Sequence, residues 1–311
     1  MASPQLTVHT NQSIRMGTYA SVPIREDTLF TDHAGDEKKG IRKRAEKTLD
    51  EHQELLRRLL EREETVLYVA RAQAPVGLLE QVTFGWYTYY VTSVVLVVTN
   101  RRLLHLLVTR DGKWKKSLRA VRWGDLTEAQ VKSWLSPTLE LVYRSDKKEK
   151  YWGLRREDAK KLKLLVSALL PASTGEATAA QGAASLCPRC FVGLTLGLYQ
   201  CPKCNLTFKD EKTMVQRSLL IPGGGYFYTR QWFLAIGDFI AEAVILWLLI
   251  VSVALVIGVV KPPPAAPGEA APLAANLAVV GIVGGILAVE KWFTIRHCRR
   301  FIREYIPQET L

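Results

Sequence analysis

The stretch AVILWLLIVSVALVIGVV, residues 243–260, determines how this chain is organised. Its eighteen residues carry no charge, and Ser252 is the one polar side chain among them. A helix needs about 20 apolar residues to cross a membrane. This stretch therefore predicts a membrane-spanning helix.

A second apolar run, LAANLAVVGIVGGILAV at residues 273–289, follows after the Pro-rich turn KPPPAAPGEAAP at 261–272. Its glycines 281, 284 and 285 allow close approach of a neighbouring helix. The two runs predict a two-helix transmembrane hairpin over residues 232–293. A pair of buried helices in a soluble core is the alternative, but such helices rarely exceed about 14 residues without a polar face.

The distribution of basic residues predicts the orientation of this hairpin. The turn carries Lys261 alone, whereas nine lysines and arginines flank the outer ends. Cytoplasmic flanks of membrane spans are enriched in Lys and Arg. Both termini are therefore expected in the cytoplasm, with the chain held in the cell membrane, and the first 36 residues contain no apolar run typical of a signal peptide. The flanking basic residues are Lys209, Lys212, Arg217, Arg230, Lys291, Arg296, Arg299, Arg300 and Arg303.

About 230 of the 311 residues precede the hairpin, which is enough for one soluble domain and a smaller module. Residues 1–36 mix Ser, Thr, Pro and charges without periodicity, which predicts a disordered segment or one that lies against the surface without its own core. Residues 37–63 place leucines 49, 56, 59 and 60 at helical spacing and predict an amphipathic helix. That helix either packs on its own domain or serves dimerisation or docking.

Residues 64–171 are rich in β-branched and aromatic residues, which is typical of strands. The runs TVLYVAR (65–71), VTFGWYTYYVTSVVLVVT (82–99) and RRLLHLLVTR (101–110) each predict strands, and Asp111-Gly112 predicts a tight hairpin turn after the third. A second hairpin is expected across the charged tip RSDKKEK, residues 144–150. Apolar residues at helical spacing between 159 and 169 then predict a helix that ends before Pro171.

The run VVLVVTNRRLLHLLV (94–108), the hairpin, the WGDL element at 123–126 and the final helix resemble bacterial pleckstrin-homology-like and GRAM-like domains. The resemblance implies an α+β fold, in which an antiparallel β barrel or sandwich is closed by a C-terminal helix. Lipid binders of this family carry basic residues in the first strand-to-strand loop, whereas AQAPVGLLEQ (72–81) has none. A basic face for anionic lipid would instead comprise Lys113, Lys115, Lys116 and Arg119, and solvated residues at a strand edge are the alternative.

Residues 172–185 are small, polar and Ala-rich and predict a flexible linker to a separate domain. Two Cys-x-x-Cys pairs follow within eighteen residues, Cys187 with Cys190 and Cys201 with Cys204. In a reducing cytosol this spacing predicts a metal site, with Zn²⁺ expected. Four thiolates leave no open coordination position, so the role is structural. The arrangement resembles a zinc ribbon over 186–210, with short strands near 193–199 and 206–208.

Residues 211–231 are expected to form a membrane-entry segment. In the stretch SLLIPGGGYFYTRQW, residues 218–232, Pro and three glycines are expected to break any helix before the membrane. The stretch resembles a two-helix membrane hairpin domain with a G-x-G-x-F-Y motif, matched here by Gly223, Gly225, Phe227 and Tyr228, with Asp238 further on. That family commonly has glycine where this chain has Arg230.

Asp238 and Glu242 lie four residues apart and share one helix face, with Arg230 or Lys291 as the expected partner. They predict either an interfacial anchor or an ion or proton site. Residues 294–311 form a basic cytoplasmic tail, and the segment KWFTIRHCRRFIRE (291–304) is expected to lie along the anionic leaflet. Cys298 within it is unpaired, and a palmitoyl chain there is the alternative to a free thiol.

No catalytic constellation stands out, and the five histidines are scattered over different elements. The sequence therefore predicts a non-enzymatic adaptor, tethered to the lipid bilayer, that presents its cytosolic domain and zinc ribbon to a protein or to anionic lipid. A subunit of a small membrane transporter or channel using Asp238 and Glu242 is the second hypothesis. A regulator that contacts nucleic acid through the ribbon is the third, although Arg189, Lys203 and Lys209 are too few for a basic stripe.

Overall fold

The computed structural model describes residues 14–77, 80–82, 85–132, 136–172, 182–260 and 272–308. The fold is mixed α+β, with a large sheet followed by two long apolar helices. The chain divides into two compact units. We call Met1–Leu206 the β unit and Thr207–Leu311 the helical unit, and each is described separately.

Residues 14–36 are ordered, contrary to the expectation of disorder for this part of the chain. Strands β1 (Met16–Tyr19) and β2 (Val22–Arg25) form a hairpin that leads into the short helix α1 (Glu26–Leu29). Val22, Ile24 and Leu29 are buried here, so a segment too short to show periodicity still contributes to the core. Residues 1–13 lie outside the described part of the chain.

The predicted amphipathic helix forms α2, Lys39–Leu59. Its apolar face, which includes Ala45, Leu49 and Leu56, is buried in a core cluster together with β2 and the large sheet. The leucine stripe of α2 therefore packs on its own unit. This burial leaves little of the stripe for a second chain.

Four central strands of the large sheet are β3 (Val66–Gln73), β4 (Ser93–Thr99), β5 (Arg102–Val108) and β6 (Trp114–Arg122). The strand order is β1-β2-β3-β4-β5-β6-β10, where β10 is Ala184–Leu186. Neighbours are antiparallel except β2 and β3. One apolar cluster covers each face of this sheet, and every residue of β5 is buried. Burial on both faces explains why β4 and β5 read as continuous apolar runs without alternation.

The hairpin predicted at Asp111-Gly112 is confirmed, since this turn joins β5 to β6. Gly112 has a φ of 102°, which a glycine adopts without strain. The long run 82–99 is a strand only from Ser93. Gly85–Tyr87 forms a 3₁₀ turn and Thr88–Val91 forms helix α3, where the Thr92 hydroxyl donates to the Thr88 carbonyl at 2.7 Å. Such local bonds favour a helical turn over a strand.

A second sheet contains β7 (Leu126–Lys132), β8 (Thr138–Tyr143) and β9 (Lys148–Tyr151). The predicted second hairpin is confirmed as β8 and β9. Helix α4 (Arg156–Ala172) then packs on the core. Pro171 lies inside this helix rather than after it.

The predicted linker 172–185 ends earlier than expected, because Ala184 and Ser185 belong to β10, which pairs with β6. Residues 173–181 of this linker lie outside the described part of the chain. The strand pairing brings the chain back to the sheet directly before the first cysteine.

The helical unit contains α5 (Glu211–Leu220), α6 (Gly224–Tyr228), α7 (Trp232–Val256) and α8 (Pro272–Arg303). The expectation that the three glycines break any helix is wrong, because Gly224 and Gly225 begin α6. A Cβ on Gly224 would collide with the Arg217 carbonyl oxygen, and one on Gly225 would collide with the Ser218 hydroxyl. The glycines therefore allow α6 to approach the end of α5 closely.

Two helices, α7 and α8, are long and apolar enough to cross a membrane. At 1.5 Å per residue they are about 37 and about 48 Å long, against a hydrocarbon core of about 30 Å. Only 11% of the most apolar window of α7 is buried, and none of that of α8. The core helix of a soluble protein would be mostly buried.

The basic segment 291–304 is a continuation of α8 up to Arg303 and not a separate helix. Its apolar residues Phe301 and Ile302 are buried, and the neighbouring Tyr305 ring meets that of Phe208 at 5.5 Å between centroids. These side chains pack within the helical unit, so they do not face a leaflet as expected. Cys298 is also fully buried, which opposes acylation of its thiol.

Candidate metal centre

The structure brings the four predicted cysteines together at the end of the β unit. Their sulfur atoms all lie within 4.8 Å of one another, and none forms a disulfide. The Sγ atoms of Cys187 and Cys204 are 3.5 Å apart, and those of Cys190 and Cys201 are 3.4 Å apart. A tetrahedral Zn²⁺ with Zn–S bonds of about 2.3 Å places its sulfurs about 3.8 Å apart. The group can therefore hold a metal ion.

Each cysteine pair is held by the same backbone turn. Phe191 N donates to the Cys187 carbonyl at 2.9 Å, and Asn205 N donates to the Cys201 carbonyl at 3.0 Å. Cys187 N and Cys201 N in turn donate to the carbonyls five residues on, Val192 and Leu206, both at 2.9 Å. The two turns are equivalent and face each other across the sulfurs.

The backbone around the cysteines also sets how readily the thiols ionise. Burial disfavours a thiolate and raises the pKa of Cys187 to about 12. Burial acts in the same direction at Cys201, but the backbone N–H groups of Cys204 and Lys203 outweigh it and lower the pKa of this thiol to about 7. Cysteine binds metal as the thiolate, so the backbone around Cys201 favours the form that binds metal.

The metal centre packs on the β unit, although the sequence predicted a separate domain beyond a linker. Leu186 belongs to the core cluster on one face of the large sheet, and Phe191 packs against the same cluster. The Arg58 guanidinium lies 5.5 Å from the Phe191 ring centroid and donates to the Arg189 carbonyl at 3.1 Å. The short strands expected near 193–199 and 206–208 are reduced to isolated bridges at Gly193 and Phe208.

Asp238 and Glu242 share one face of α7, as the sequence predicted. Lys291 is the partner of Glu242, with Nζ donating to Oε2 at 2.5 Å. Arg230, the other expected partner, donates to the Gln308 carbonyl at 2.8 Å instead. The structure adds Glu290, which the sequence analysis missed although it directly precedes Lys291 at the end of the apolar run.

The G-x-G-x-F-Y motif contacts this acidic group. Gly223 N donates to Glu242 Oε2 at 3.3 Å. A Cβ on Gly223 would lie 2.5 Å from the Ala235 carbonyl oxygen, so the glycine allows α6 to reach α7. The hydroxyl of Tyr226 lies 2.9 Å from His297 Nδ1 on α8. The motif thus joins α7 and α8 at the end where the acidic residues lie.

The basic side chains that were predicted to form one face of the β unit contact several different elements. Lys115 Nζ donates to the Tyr90 carbonyl at 2.8 Å, and Arg119 pairs with Glu149 at 3.2 Å. Lys116 lies over the Trp114 ring at 5.0 Å. These three basic side chains are engaged by different elements, and binding of anionic lipid at this face stays a prediction.

An aromatic face lies beside them at a cavity of about 470 Å³ in the β unit. Trp86 and Tyr89 are 61% and 55% exposed at its rim. The Tyr90 hydroxyl accepts a hydrogen bond from Arg110 Nη1 at 3.0 Å. The sequence predicted a strand here and so missed this surface. Its lining includes Arg71, Gln73, Trp86, Tyr89, Tyr90 and Arg110.

Comparison with protein-family models, with curated proteins and with solved structures gave no match to this chain. The geometry of its own residues is therefore the basis for a functional proposal.

Proposed function

We propose that this chain is a membrane-tethered, non-enzymatic adaptor. In this proposal α7 and α8 form a transmembrane hairpin in the cell membrane, and the β unit stands in the cytoplasm. The observation that carries it is the exposure of the apolar side chains of α7 and α8. Trp247, Ile250 and Ile282 are each more than 60% exposed. Contiguous apolar surface of this extent is rare on soluble monomers, and a bilayer would cover it.

The proposal assigns residues 64–171 to a pleckstrin-homology-like domain. A four-stranded antiparallel run, β3 to β6, is followed by the three-stranded sheet β7 to β9 and by α4. This order supports the α+β barrel or sandwich with a C-terminal helix that the sequence resemblance implies. The four cysteines would bind one Zn²⁺ in a structural role, as in a zinc ribbon. All four ligands being sulfur supports zinc among the divalent metals.

The aromatic face is the surface that we assign to a protein partner. It combines Trp86, Tyr89 and Tyr90 with Arg71 and Arg110, and Trp, Tyr and Arg are the residues most enriched at energetically dominant interface positions. Arg110 holds the Tyr90 hydroxyl and Lys115 holds the Tyr90 backbone carbonyl, so less conformational entropy is lost on binding. An anionic membrane surface is the competing occupant of the same face.

A photo-crosslinking amino acid at position 86, in native membranes, tests this assignment. A discrete protein adduct is expected at position 86, and the same probe at the exposed Leu164 on α4 serves as the control. The substitution Tyr90→Ala should remove the adduct, because it deletes the ring that Arg110 supports. Adducts to lipid alone, or equal protein adducts at both positions, would contradict the proposal.

A transporter or channel subunit is the second candidate, and the buried acidic group on α7 and α8 favours it. Ion flux across vesicles reconstituted with the purified chain would distinguish it from the adaptor. The structure offers less support for nucleic-acid contact, since Lys209, one of the three basic residues near the cysteines, is only 7% exposed.

A further inference from the structure

Three carboxylates from two helices converge in the helical unit. Asp238 and Glu242 lie on α7, and Glu290 lies on α8. One oxygen of each lies within 4.8 Å of one oxygen of each of the others. Two oxygens bound to one Ca²⁺ at about 2.4 Å are at most about 4.8 Å apart, and the limit for Mg²⁺ at about 2.1 Å is about 4.2 Å. The spacing is therefore compatible with one shared cation.

Neighbouring groups hold one side of this cluster. Lys291 Nζ donates to Glu242 Oε2 and to the Ser218 carbonyl, each at 2.5 Å. Thr294 Oγ1 lies 2.6 Å from Glu290 Oε1 and 3.3 Å from Asp238 Oδ2. These contacts fix the orientation of the three carboxylates.

The other side of the cluster has no partner among the described residues. Glu242 is fully buried, and its Oε1 makes no hydrogen bond there. Glu290 Oε2 is also buried without a hydrogen-bond partner. A buried carboxylate oxygen without a partner loses its hydration and forms no hydrogen bond that would compensate for this loss. A cation bound between them, or a proton shared between the carboxyl groups, would satisfy both oxygens.

The net charge of the cluster indicates the sign and magnitude of the charge that a bound ligand would carry. Three ionised carboxylates against one ammonium, that of Lys291, leave an excess of two negative charges. Like charges this close repel strongly away from bulk water. A divalent cation would neutralise the excess. Carboxylate and hydroxyl oxygens suit Mg²⁺, Ca²⁺ and Mn²⁺ rather than the softer metals.

We propose that Asp238, Glu242 and Glu290 bind one divalent cation of this oxygen-preferring class. Thr294 is a positioning residue for these ligands, and the Lys291 ammonium competes with the cation for Glu242. The bound cation joins α7 to α8 close to the glycine motif, because Gly223 N contacts the same carboxylate, Glu242. The site is distinct from the four cysteines in position and in chemistry, and it does not depend on the adaptor proposal.

Mn²⁺ is the probe for this site, since its free form gives an electron paramagnetic resonance signal. The purified full-length chain, with its cysteine site first saturated with Zn²⁺, should bind one Mn²⁺ per chain. The double variant Glu242→Gln/Glu290→Gln should lose this binding. Glu211→Gln is the matched control, because Glu211 on the same unit pairs with Arg299 at 2.7 Å outside the cluster, and it should bind as the wild type does.

Cys298 reports whether a variant keeps its fold. Its thiol is fully buried against Gly225, so a maleimide reaches it only when the packing of α6 on α8 opens. A variant that loses Mn²⁺ but protects Cys298 has lost ligands and not structure. If the double variant exposes Cys298, the milder substitution Thr294→Val is used in its place. The affinity for Mn²⁺ is then expected to fall about 10- to 100-fold.

Lys291→Met should change the affinity for Mn²⁺ in the opposite direction. Removing the competing ammonium should strengthen Mn²⁺ binding where Cys298 stays protected, because the excess negative charge rises. No Mn²⁺ bound by the wild type at millimolar concentration would overturn the proposal and would indicate that protons neutralise the carboxylates. Equal Mn²⁺ binding by the wild type and by a Cys298-protected double variant would overturn it as well.

Discussion

Arg102 and Glu64 form a two-pronged ion pair inside the β unit, with Nε to Oε1 at 2.9 Å and Nη2 to Oε2 at 2.8 Å. Glu64 is fully buried and Arg102 is 7% exposed. The pair ties the end of α2 to the sheet, because Arg102 also donates to the Leu59 carbonyl at 3.0 Å. Such parallel bonds between guanidinium and carboxylate combine charge with fixed geometry.

Glu64→Ala should therefore destabilise the β unit by about 3 kcal/mol, because it removes the buried two-pronged partner of Arg102 and leaves the half-exposed Glu61, at 3.3 Å, as its carboxylate. Urea unfolding followed by tryptophan fluorescence measures this change. Glu54→Ala is the control, since Glu54 forms an exposed pair with Arg57 on α2, and its effect should stay below about 1 kcal/mol. A similar loss of unfolding free energy in both variants would show that the Arg102–Glu64 pair stabilises the β unit no more than an exposed ion pair does.

Cys201→Ser should remove the metal from the cysteine site, because it deletes one of the four converging sulfur ligands. Metal analysis of the purified chain should then fall from one zinc to less than half. Since Leu186 and Phe191 pack on the large sheet, amide exchange should also quicken at β10 and β6, while β3 and β4 keep their protection. Cys298→Ser, which alters a cysteine far from the pairs in sequence, should retain the zinc.

Gly224→Ala should loosen the helical unit, because the new methyl group meets a backbone carbonyl, that of Arg217, and backbone cannot move aside easily. Overpacking of this kind costs about 1–3 kcal/mol. The expected signs are a lower thermal midpoint and faster maleimide labelling of Cys298. Gly281→Ala on α8 has open space around its Cβ and should leave both measurements unchanged.

Lys209 should make the helical unit more stable as the pH rises above neutrality. Burial, with help from Arg230 and Arg217, lowers the pKa of this lysine from 10.5 to about 8. The unfolded chain then binds more protons than the folded one between pH 8 and 10.5, so the free energy of unfolding rises across this window. At roughly 1.4 kcal/mol for each pKa unit, the total gain is about 3 kcal/mol.

Lys209→Met should remove this pH dependence and raise stability at pH 7, because no buried ammonium has to lose its hydration. Thermal unfolding of both proteins at pH 7 and pH 10 measures the difference. Lys212→Met on the exposed side of α5 is the control and should behave as the wild type. A pH profile that stays the same without Lys209 would assign the effect to another group.

The proposed topology predicts that the turn between the two long helices faces outward. A cysteine placed at Ala266, outside the described residues, should react with a membrane-impermeant maleimide in intact cells. A cysteine at Ser145, at the tip of the β8–β9 hairpin, should react only after lysis. The reverse pattern would place the β unit outside the cell.

The sequence predicts correctly those elements that depend only on residues close together in the chain. The turn at Asp111-Gly112, the helix α2 and the two long apolar helices appear where the sequence predicts them. The convergence of the four cysteines follows from their spacing, because each pair needs only one backbone turn. The metal that they bind stays a prediction.

The features that the sequence did not predict depend instead on packing between distant parts of the chain. The order of residues 14–36 depends on burial of Val22 and Ile24 against the sheet and α2. Glu290 joined the acidic cluster only through packing of α8 on α7, which no local pattern of this helix encodes. The three glycines were misread as helix breakers, since their role is to permit contact with Arg217 and Ser218.

Strand β10 closes the open side of β6 with only three residues. It pairs with residues 118–120 of β6, and without it these residues would offer unpaired backbone groups to other chains, which is how edge strands promote aggregation. β10 directly precedes Cys187, so a metal bound by this cysteine would also keep β10 in place. We expect newly made chains to be most prone to self-association before the cysteines are filled. Zinc supply during synthesis would then govern the yield of soluble β unit more than the folding of its core.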